Sequence, residues 1–123
     1  MNRLILKYQK KKDIAPDEEI KILYQIAKGV LDDVTKYFVN KGEPITDEKL
    51  LKYLKINNMF YFFEYIKSNG LQEEYPNVYQ LFSSHEEEVE NNHKALTAFE
   101  VIYFQIYDIL QAILRKGERN ERN

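Results

Sequence analysis

The most extended hydrophobic pattern in the chain lies near its C-terminus. Over residues 84–116, apolar side chains recur at steps of three, four and seven, the spacing of one face of an α-helix. This seam consists of Val89, Leu96, Phe99, Tyr103, Ile106, Leu110 and Ile113, with Asn92 at its one polar position. Ala95, Ile102 and Ile109 form a second apolar row, and Tyr107 and Leu114 form a third. Because a face this wide needs two or more partner helices, the pattern predicts one long helix at the centre of a bundle.

Both ends of this predicted helix carry terminal signals. Ser84 with Glu87 three residues later fits an N-terminal capping box. Gly117 is a plausible left-handed stop after the basic pair that ends the helix. Residues 118–123 are entirely polar, and we expect a disordered tail there. The sequence therefore predicts a single helical domain over residues 1–117.

Turn and capping signals divide the preceding residues into shorter helices. Pro16 opens a predicted helix that continues to Asn40, with Gly29 inside it as a candidate close helix crossing. Thr46 or Asp47 caps a second helix that ends near residue 54. We place a tight turn at residues 56–58, a third helix at residues 59–68 and a short helix at residues 76–82. Residues 1–12 fit either a short helix docked by its apolar side chains or an edge strand.

The predicted fold class is accordingly all-α: an irregular helical bundle of four to six helices packed around one long C-terminal helix at about residues 84–116. The 123 residues suffice for one domain with a hydrophobic core. The chain has no cysteine, no long apolar stretch and no N-terminal signal-peptide pattern. We expect a small soluble cytoplasmic protein with no membrane association.

Charge is unevenly distributed along the chain. Residues 1–67 hold 13 Lys/Arg and 10 Asp/Glu, whereas residues 68–123 hold 5 and 10. Between residues 68 and 93 there is no Lys or Arg. The acidic side chains of this stretch are Glu73, Glu74, Glu86, Glu87, Glu88 and Glu90. Such a segment is suited to meet a basic partner surface, including one that otherwise holds nucleic acid.

Residues 59–66 form an eight-residue run that is apolar on nearly every side. In a domain of this size, such a helix either fills the core or places part of its surface in an interface. Exposed aromatic clusters are typical of binding hot spots. The candidate contact residues are Phe60, Tyr61, Phe63 and Tyr65. The sequence leaves both readings open, core filling and a partner or homodimer surface.

Residues 47–67 also have the outline of a helix-turn-helix. The second helix of this unit has no arginine, and a recognition helix needs side chains that bond to base edges or phosphates. Two packed core helices are therefore the favoured reading. A nucleic-acid-binding alternative would use Lys10, Lys11, Lys12, Lys55 and Lys67.

No catalytic, metal or cofactor constellation is visible. Glu90 and His93 match one half of a di-iron bundle motif, but the chain contains no second Glu-x-x-His. We expect His85 and His93 to be solvated or capping residues. There is no glycine-rich phosphate loop, and the serines lie in turn or cap contexts. The sequence thus predicts neither an enzyme nor a bound metal or cofactor.

These observations favour a non-enzymatic protein-binding regulator or inhibitor that docks onto a partner protein of unknown identity. A small chain without standard motifs is also typical of a phage or mobile-element product. A helix-turn-helix nucleic-acid-binding regulator and a structural homo-oligomer remain the alternatives.

Overall fold

A computed structural model describes the backbone of residues 16–91 and 95–115, and the side chains of residues 18–86 and 98–115. Within these residues the chain forms five α-helices and no strand. They are α1 (Pro16–Lys41), α2 (Asp47–Tyr53), α3 (Ile56–Ser68), α4 (Pro76–Asn91) and α5 (Ala95–Arg115). The all-α class and the predicted number of helices are confirmed. The predictions for residues 1–12 and 118–123 lie outside the described residues.

Helix α1 begins at Pro16, as predicted, and ends one residue later than predicted, at Lys41. Its buried side chains keep helical spacing and form one stripe against the core. They are Leu23, Ala27, Val30, Leu31, Val34 and Phe38. Gly42 follows with a φ of 72°, a left-handed backbone that favours glycine and stops the helix.

A two-residue turn joins α2 to α3. The Thr46 side chain accepts a hydrogen bond from the Lys49 backbone N–H at 3.1 Å, so Thr46 is the N-cap of α2. Helix α3 starts at Ile56, and the predicted tight turn at residues 56–58 is wrong. The turn ends earlier because Lys55 is extended and its carbonyl already accepts the first helical bond, from Met59 N–H.

The predicted single helix over residues 84–116 is also wrong, because two helices, α4 and α5, occupy this region. They pack antiparallel: the His85 and Phe99 rings lie 4.2 Å apart and the Phe82 and Tyr103 rings 5.7 Å apart. In one straight helix, residues 82 and 103 would be about 30 Å apart. Ser84 lies inside α4 and is therefore not an N-cap. The predicted helix from Pro76 continues past residue 82 to Asn91, because its aromatic side chains bury against α5.

Helix α5 nevertheless holds the central position that the pattern predicted. It packs against α1, α2 and α4. Its buried side chains include five of the seven seam residues. The buried set is Phe99, Ile102, Tyr103, Ile106, Leu110, Ile113 and Leu114. Ile109 and Tyr107 are half-buried, whereas the side chains of Val89, Asn92, Ala95 and Leu96 lie outside the described set.

Helices α1 and α4 approach most closely at Gly29. A Cβ atom at this position would lie 2.5 Å from Asn77 Oδ1, so only glycine fits without displacing Asn77. One turn further along α1, the buried Asp33 carboxylate accepts hydrogen bonds from Val78 N–H at 2.8 Å and from Asn77 Nδ2 at 3.1 Å. Asp33 thus caps the first turn of α4 from another helix. The close crossing expected at Gly29 is confirmed.

Candidate functional site

The four aromatic candidates of α3 divide between the inside and the outside of the bundle. Phe63 is 1% exposed and belongs to the core, so its assignment as a partner contact is corrected. Phe60 is half-buried, and its ring lies 5.1 Å from that of Phe82. Tyr61 and Tyr65 point outward, with 75% and 42% of their surface exposed. Only the two tyrosines are thus available as a contact surface.

The acidic segment is partly neutralised by contacts within the chain. Glu86 pairs with Lys67, with 2.8 Å between Oε2 and Nζ. Glu74 accepts a hydrogen bond from Asn40 Nδ2 at 3.1 Å, whereas Glu73 is exposed. The side chains of Glu87, Glu88 and Glu90 lie outside the described residues.

The candidate nucleic-acid contacts do not assemble into a described basic surface. Lys67 lies between two acids, Glu86 and Glu64, and the hydrogen bond to Glu86 raises the pKa of its ammonium group. Lys55 is exposed at the turn between α2 and α3. Residues 10–12 lie outside the described part of the chain. Lys67 therefore has its charge engaged within the fold.

The histidine at position 85 is buried, which corrects its expected solvated or capping role. It is 5% exposed, stacks on Phe99 and lies 5.5 Å from the Phe60 ring. Its Nδ1 atom has no hydrogen-bond partner among the described residues, and burial lowers the pKa of the imidazole. The side chains of Glu90 and His93 lie outside the described residues. Within the described ones, no group of three acidic or histidine side chains is placed to hold a metal ion.

Two apolar residues of α5 that the sequence analysis had not singled out are exposed. Val101 is 52% exposed and Phe104 is 55% exposed. They share the outer face of α5 with the exposed polar residues Gln105 and Asp108. The sequence contains one indication of this exposure, which is that both residues lie outside the three apolar rows. A large apolar residue on the polar face of a helix does not point toward the core.

Phe104 borders a groove of about 250 Å³ between α5 and the start of α3. We call it the Phe104 groove. Its lining consists of Lys55, Ile56, Asn57, Tyr103, Phe104 and Tyr107. Val101 lies one helical turn from Phe104, and Tyr61 lies one turn from Asn57. These two exposed side chains extend the surface beyond the groove itself.

Two tyrosine hydroxyls of α5 hold the end of α2 beside the groove. The buried Tyr103 hydroxyl donates to the Leu54 carbonyl at 2.6 Å, and the Tyr107 hydroxyl donates to the Leu51 carbonyl at 3.0 Å. Leu51 lies in the last turn of α2 and Leu54 is its C-cap residue, and backbone acceptors at a helix C-terminus lack helical partners. The groove is therefore framed by backbone that the core fixes in place.

The end of the Phe104 groove at α3 is electropositive. Lys55 is exposed and makes no ion pair within the described residues. It is also the N-cap residue of α3, without a side-chain cap, and the first turn of α3 contains no acid. The nearby Asn58 side chain donates to the Lys52 carbonyl instead. The Lys55 ammonium group and the partial positive charge at the N-terminus of α3 thus lie at the same end of the Phe104 groove.

A second, more open groove of about 350 Å³ lies between α1 and α5. Its lining consists of Glu19, Ile20, Leu23, Gln105, Asp108 and Ile109. Its described lining includes two carboxylates and no Lys or Arg, so the two grooves beside α5 differ in the charged residues that line them.

No helix within the described residues is both long enough and apolar enough to cross a membrane. Comparisons with protein-family profiles, curated proteins and solved structures gave no match.

Proposed function

We propose that this chain is a non-enzymatic protein-binding module that acts as a regulator or inhibitor by docking onto a partner protein. The observation that carries the proposal is the exposure of Val101 and Phe104, each more than half exposed, beside the Phe104 groove. Burying a large apolar side chain is worth about 1.5–3 kcal/mol, so these residues favour association.

Single exposed apolar residues are common on protein surfaces and carry no such argument. Val39, 60% exposed near the end of α1, is an example. Phe104 differs because it borders a concave surface that also contains the half-buried Ile56 and Tyr107. An aromatic side chain at a groove surrounded by polar residues is the usual composition of a binding hot spot.

Tyr61 enlarges the proposed contact surface. Its ring is 75% exposed and lies on α3 one turn beyond Asn57, which lines the groove. Tyrosine is suited to an interface because its ring contributes apolar area while its hydroxyl remains able to bond to water or to a partner. The proposed surface therefore retains Tyr61 from the sequence prediction and adds Val101 and Phe104.

The proposal is tested by affinity capture from a lysate of the cells that produce the chain, using the wild type and two variants. Phe104→Gln removes the central ring, and Val39→Gln makes a similar polar change at an exposed site outside the groove. We expect a protein captured by the wild type to be lost with Phe104→Gln and kept with Val39→Gln. Thermal unfolding of all three proteins serves as the folding control.

Equal capture by folded Phe104→Gln and Val39→Gln would contradict the proposal, because the groove would then not be the contact surface. Light scattering of the purified wild type addresses the homo-oligomer alternative. A dimer that becomes a monomer with Phe104→Gln would assign the surface to self-association instead.

A further inference from the structure

We propose that the Phe104 groove takes a segment of the partner protein in which a carboxylate side chain stands beside bulky apolar side chains, with the carboxylate facing Lys55. This inference rests on the proposed function and deepens it, because it assigns the chemistry of the partner. The complementary features in this chain are an apolar groove and a cation at one end of it.

The lining of the groove favours large apolar side chains in the partner segment. Ile56, Phe104 and Tyr107 provide aliphatic and aromatic surface, and Tyr103 supports it from the core. The volume of about 250 Å³ is below the range of a typical small-molecule pocket, about 300–1,000 Å³. One or two large apolar side chains of a protein segment are therefore the fitting occupants.

The preference for a carboxylate in the partner segment comes from Lys55. This side chain lines the groove, is exposed, and has no acidic partner within the described residues. Two other surface lysines, Lys67 and Lys49, pair with Glu86 and Glu43, and neither lines this groove. A free ammonium group at the edge of an apolar surface favours an approaching negative charge.

The N-terminus of α3 favours a partner carboxylate, as Lys55 does. The N-cap of α3 has no side-chain hydrogen bond, and the first turn lacks an acid that would complement the helix dipole. A partner carboxylate next to Lys55 would supply that missing negative charge. The helix start reinforces the preference that the exposed ammonium group establishes.

The second groove differs from the Phe104 groove in the charge of its described lining residues. The second groove is lined by Glu19 and Asp108 and the Phe104 groove by Lys55, so an acidic segment favours the Phe104 groove. Charge differences of this kind select the site and the orientation of a bound segment more than they increase its affinity.

The test selects peptides of about 16 residues, long enough to lie across a groove as a helix, from a phage-displayed random library on the immobilised wild-type chain. Binding of the enriched peptides is then measured by fluorescence anisotropy for the wild type and for Phe104→Gln, Lys55→Glu and Lys21→Glu. Lys21→Glu makes the same charge change as Lys55→Glu at an exposed site outside the groove. Circular dichroism confirms that each variant is folded.

We expect the enriched peptides to carry Asp or Glu close to aromatic or aliphatic residues. Lys55→Glu should weaken their binding by about tenfold or more, since it replaces attraction by repulsion, and Lys21→Glu by less than about twofold. Raising NaCl from about 50 to about 500 mM should weaken binding to the wild type more than to Lys55→Glu, because salt screens the exposed pair.

Peptides that depend on Phe104 but lack acidic residues, and bind Lys55→Glu unchanged, would overturn this inference and leave the proposed docking function standing. Enrichment of peptides that bind equally to Phe104→Gln would overturn both the inference and the assignment of the groove. A wild-type dimer dissociated by Phe104→Gln would identify a second copy as the occupant and would also overturn the inference.

Discussion

Asp33 and His85 are two buried polar side chains that differ in whether their buried polar atoms are hydrogen-bonded. The carboxylate of Asp33 accepts bonds from Val78 N–H and from the Asn77 side chain, so both of its oxygens are hydrogen-bonded. The imidazole of His85 packs against Phe60 and Phe99, and within the described part of the chain its Nδ1 atom has no hydrogen-bond partner. The first side chain stabilises the contact between two helices, whereas the second carries a desolvation cost.

Replacing Asp33 should therefore destabilise the fold. Asp33→Ala leaves the buried Val78 N–H without an acceptor, and we expect a loss of about 1–3 kcal/mol in the free energy of unfolding. Urea denaturation followed by circular dichroism measures this change. The exposed neighbour Asp32 provides the matched control, and Asp32→Ala should change stability by less than about 0.5 kcal/mol. Equal losses for the two variants would show that Asp33 is not a structural cap.

The buried His85 predicts a specific dependence of stability on pH. Burial lowers the pKa of the folded imidazole below its ordinary value of 6.5. As the pH falls below 6.5, the imidazole of the unfolded chain binds a proton before that of the folded chain does. The free energy of unfolding therefore decreases on the acidic side. His85→Phe keeps a ring against Phe99 but does not titrate. We expect its stability to fall less than that of the wild type between about pH 7.5 and about pH 5.

The difference between the two proteins isolates His85 from the other titrating groups. Asp33 acts in the opposite direction: burial raises the pKa of its carboxyl, so the folded chain gains stability relative to the unfolded chain as the pH falls. This contribution is present in both proteins and cancels in the comparison. Parallel pH profiles for wild type and His85→Phe would contradict the assignment.

At the scale of helices, the contact between α1 and α4 depends on a glycine. Alanine is a better helix former than glycine by about 1 kcal/mol, so Gly29→Ala would stabilise an isolated helix. In this fold the added Cβ atom would lie 2.5 Å from Asn77 Oδ1, and Asn77 is held by its bond to Asp33. Helix propensity and packing therefore oppose each other at this residue.

We expect packing to decide the outcome, with Gly29→Ala destabilising the chain by about 1–2 kcal/mol. In an Asn77→Gly background the same substitution no longer meets the Asn77 side chain and should become stabilising by up to about 1 kcal/mol. Chemical denaturation of the wild type, both single variants and the double variant measures this coupling. Additive effects of the two substitutions would mean that the two residues do not touch.

At the scale of the whole molecule, the aromatic residues of α3 belong to two populations. Phe63 lies in the core with its ring 5.8 Å from that of Phe82, whereas Tyr61 of the same helix is 75% exposed. Their sequence neighbourhoods are nearly identical, since both lie in an apolar run. Only the position of α4 and α5 on one side of α3 separates them.

This division predicts two different consequences of substitution. Phe63→Ala removes a buried ring and should cost about 3–5 kcal/mol of stability through lost transfer energy and the remaining cavity. Tyr61→Ala should change stability by less than about 0.5 kcal/mol. Thermal unfolding of the two variants compares them directly. A strongly destabilised Tyr61→Ala would place that ring in the core and remove it from the proposed surface.

Features that depend on local spacing and local backbone chemistry could be predicted from the amino-acid sequence. They include the all-α class, the start of α1 at Pro16, a cap at Thr46 or Asp47, which the structure assigns to Thr46, and the core-facing rows of α5. Helical periodicity and capping act over three or four residues, so a single chain segment already contains this information.

Where the chain turns back, and which apolar side chains remain exposed, depends on contacts between helices that are distant in sequence. The pattern of residues 84–116 is the same for one long helix as for α4 and α5 packed together, because a buried helical face has one period whatever covers it. The burial of His85 and Phe63 and the exposure of Phe104 follow from that antiparallel pair. For a helix that is apolar on several sides, the solvent-exposed face can be identified only when the positions of the neighbouring helices are known.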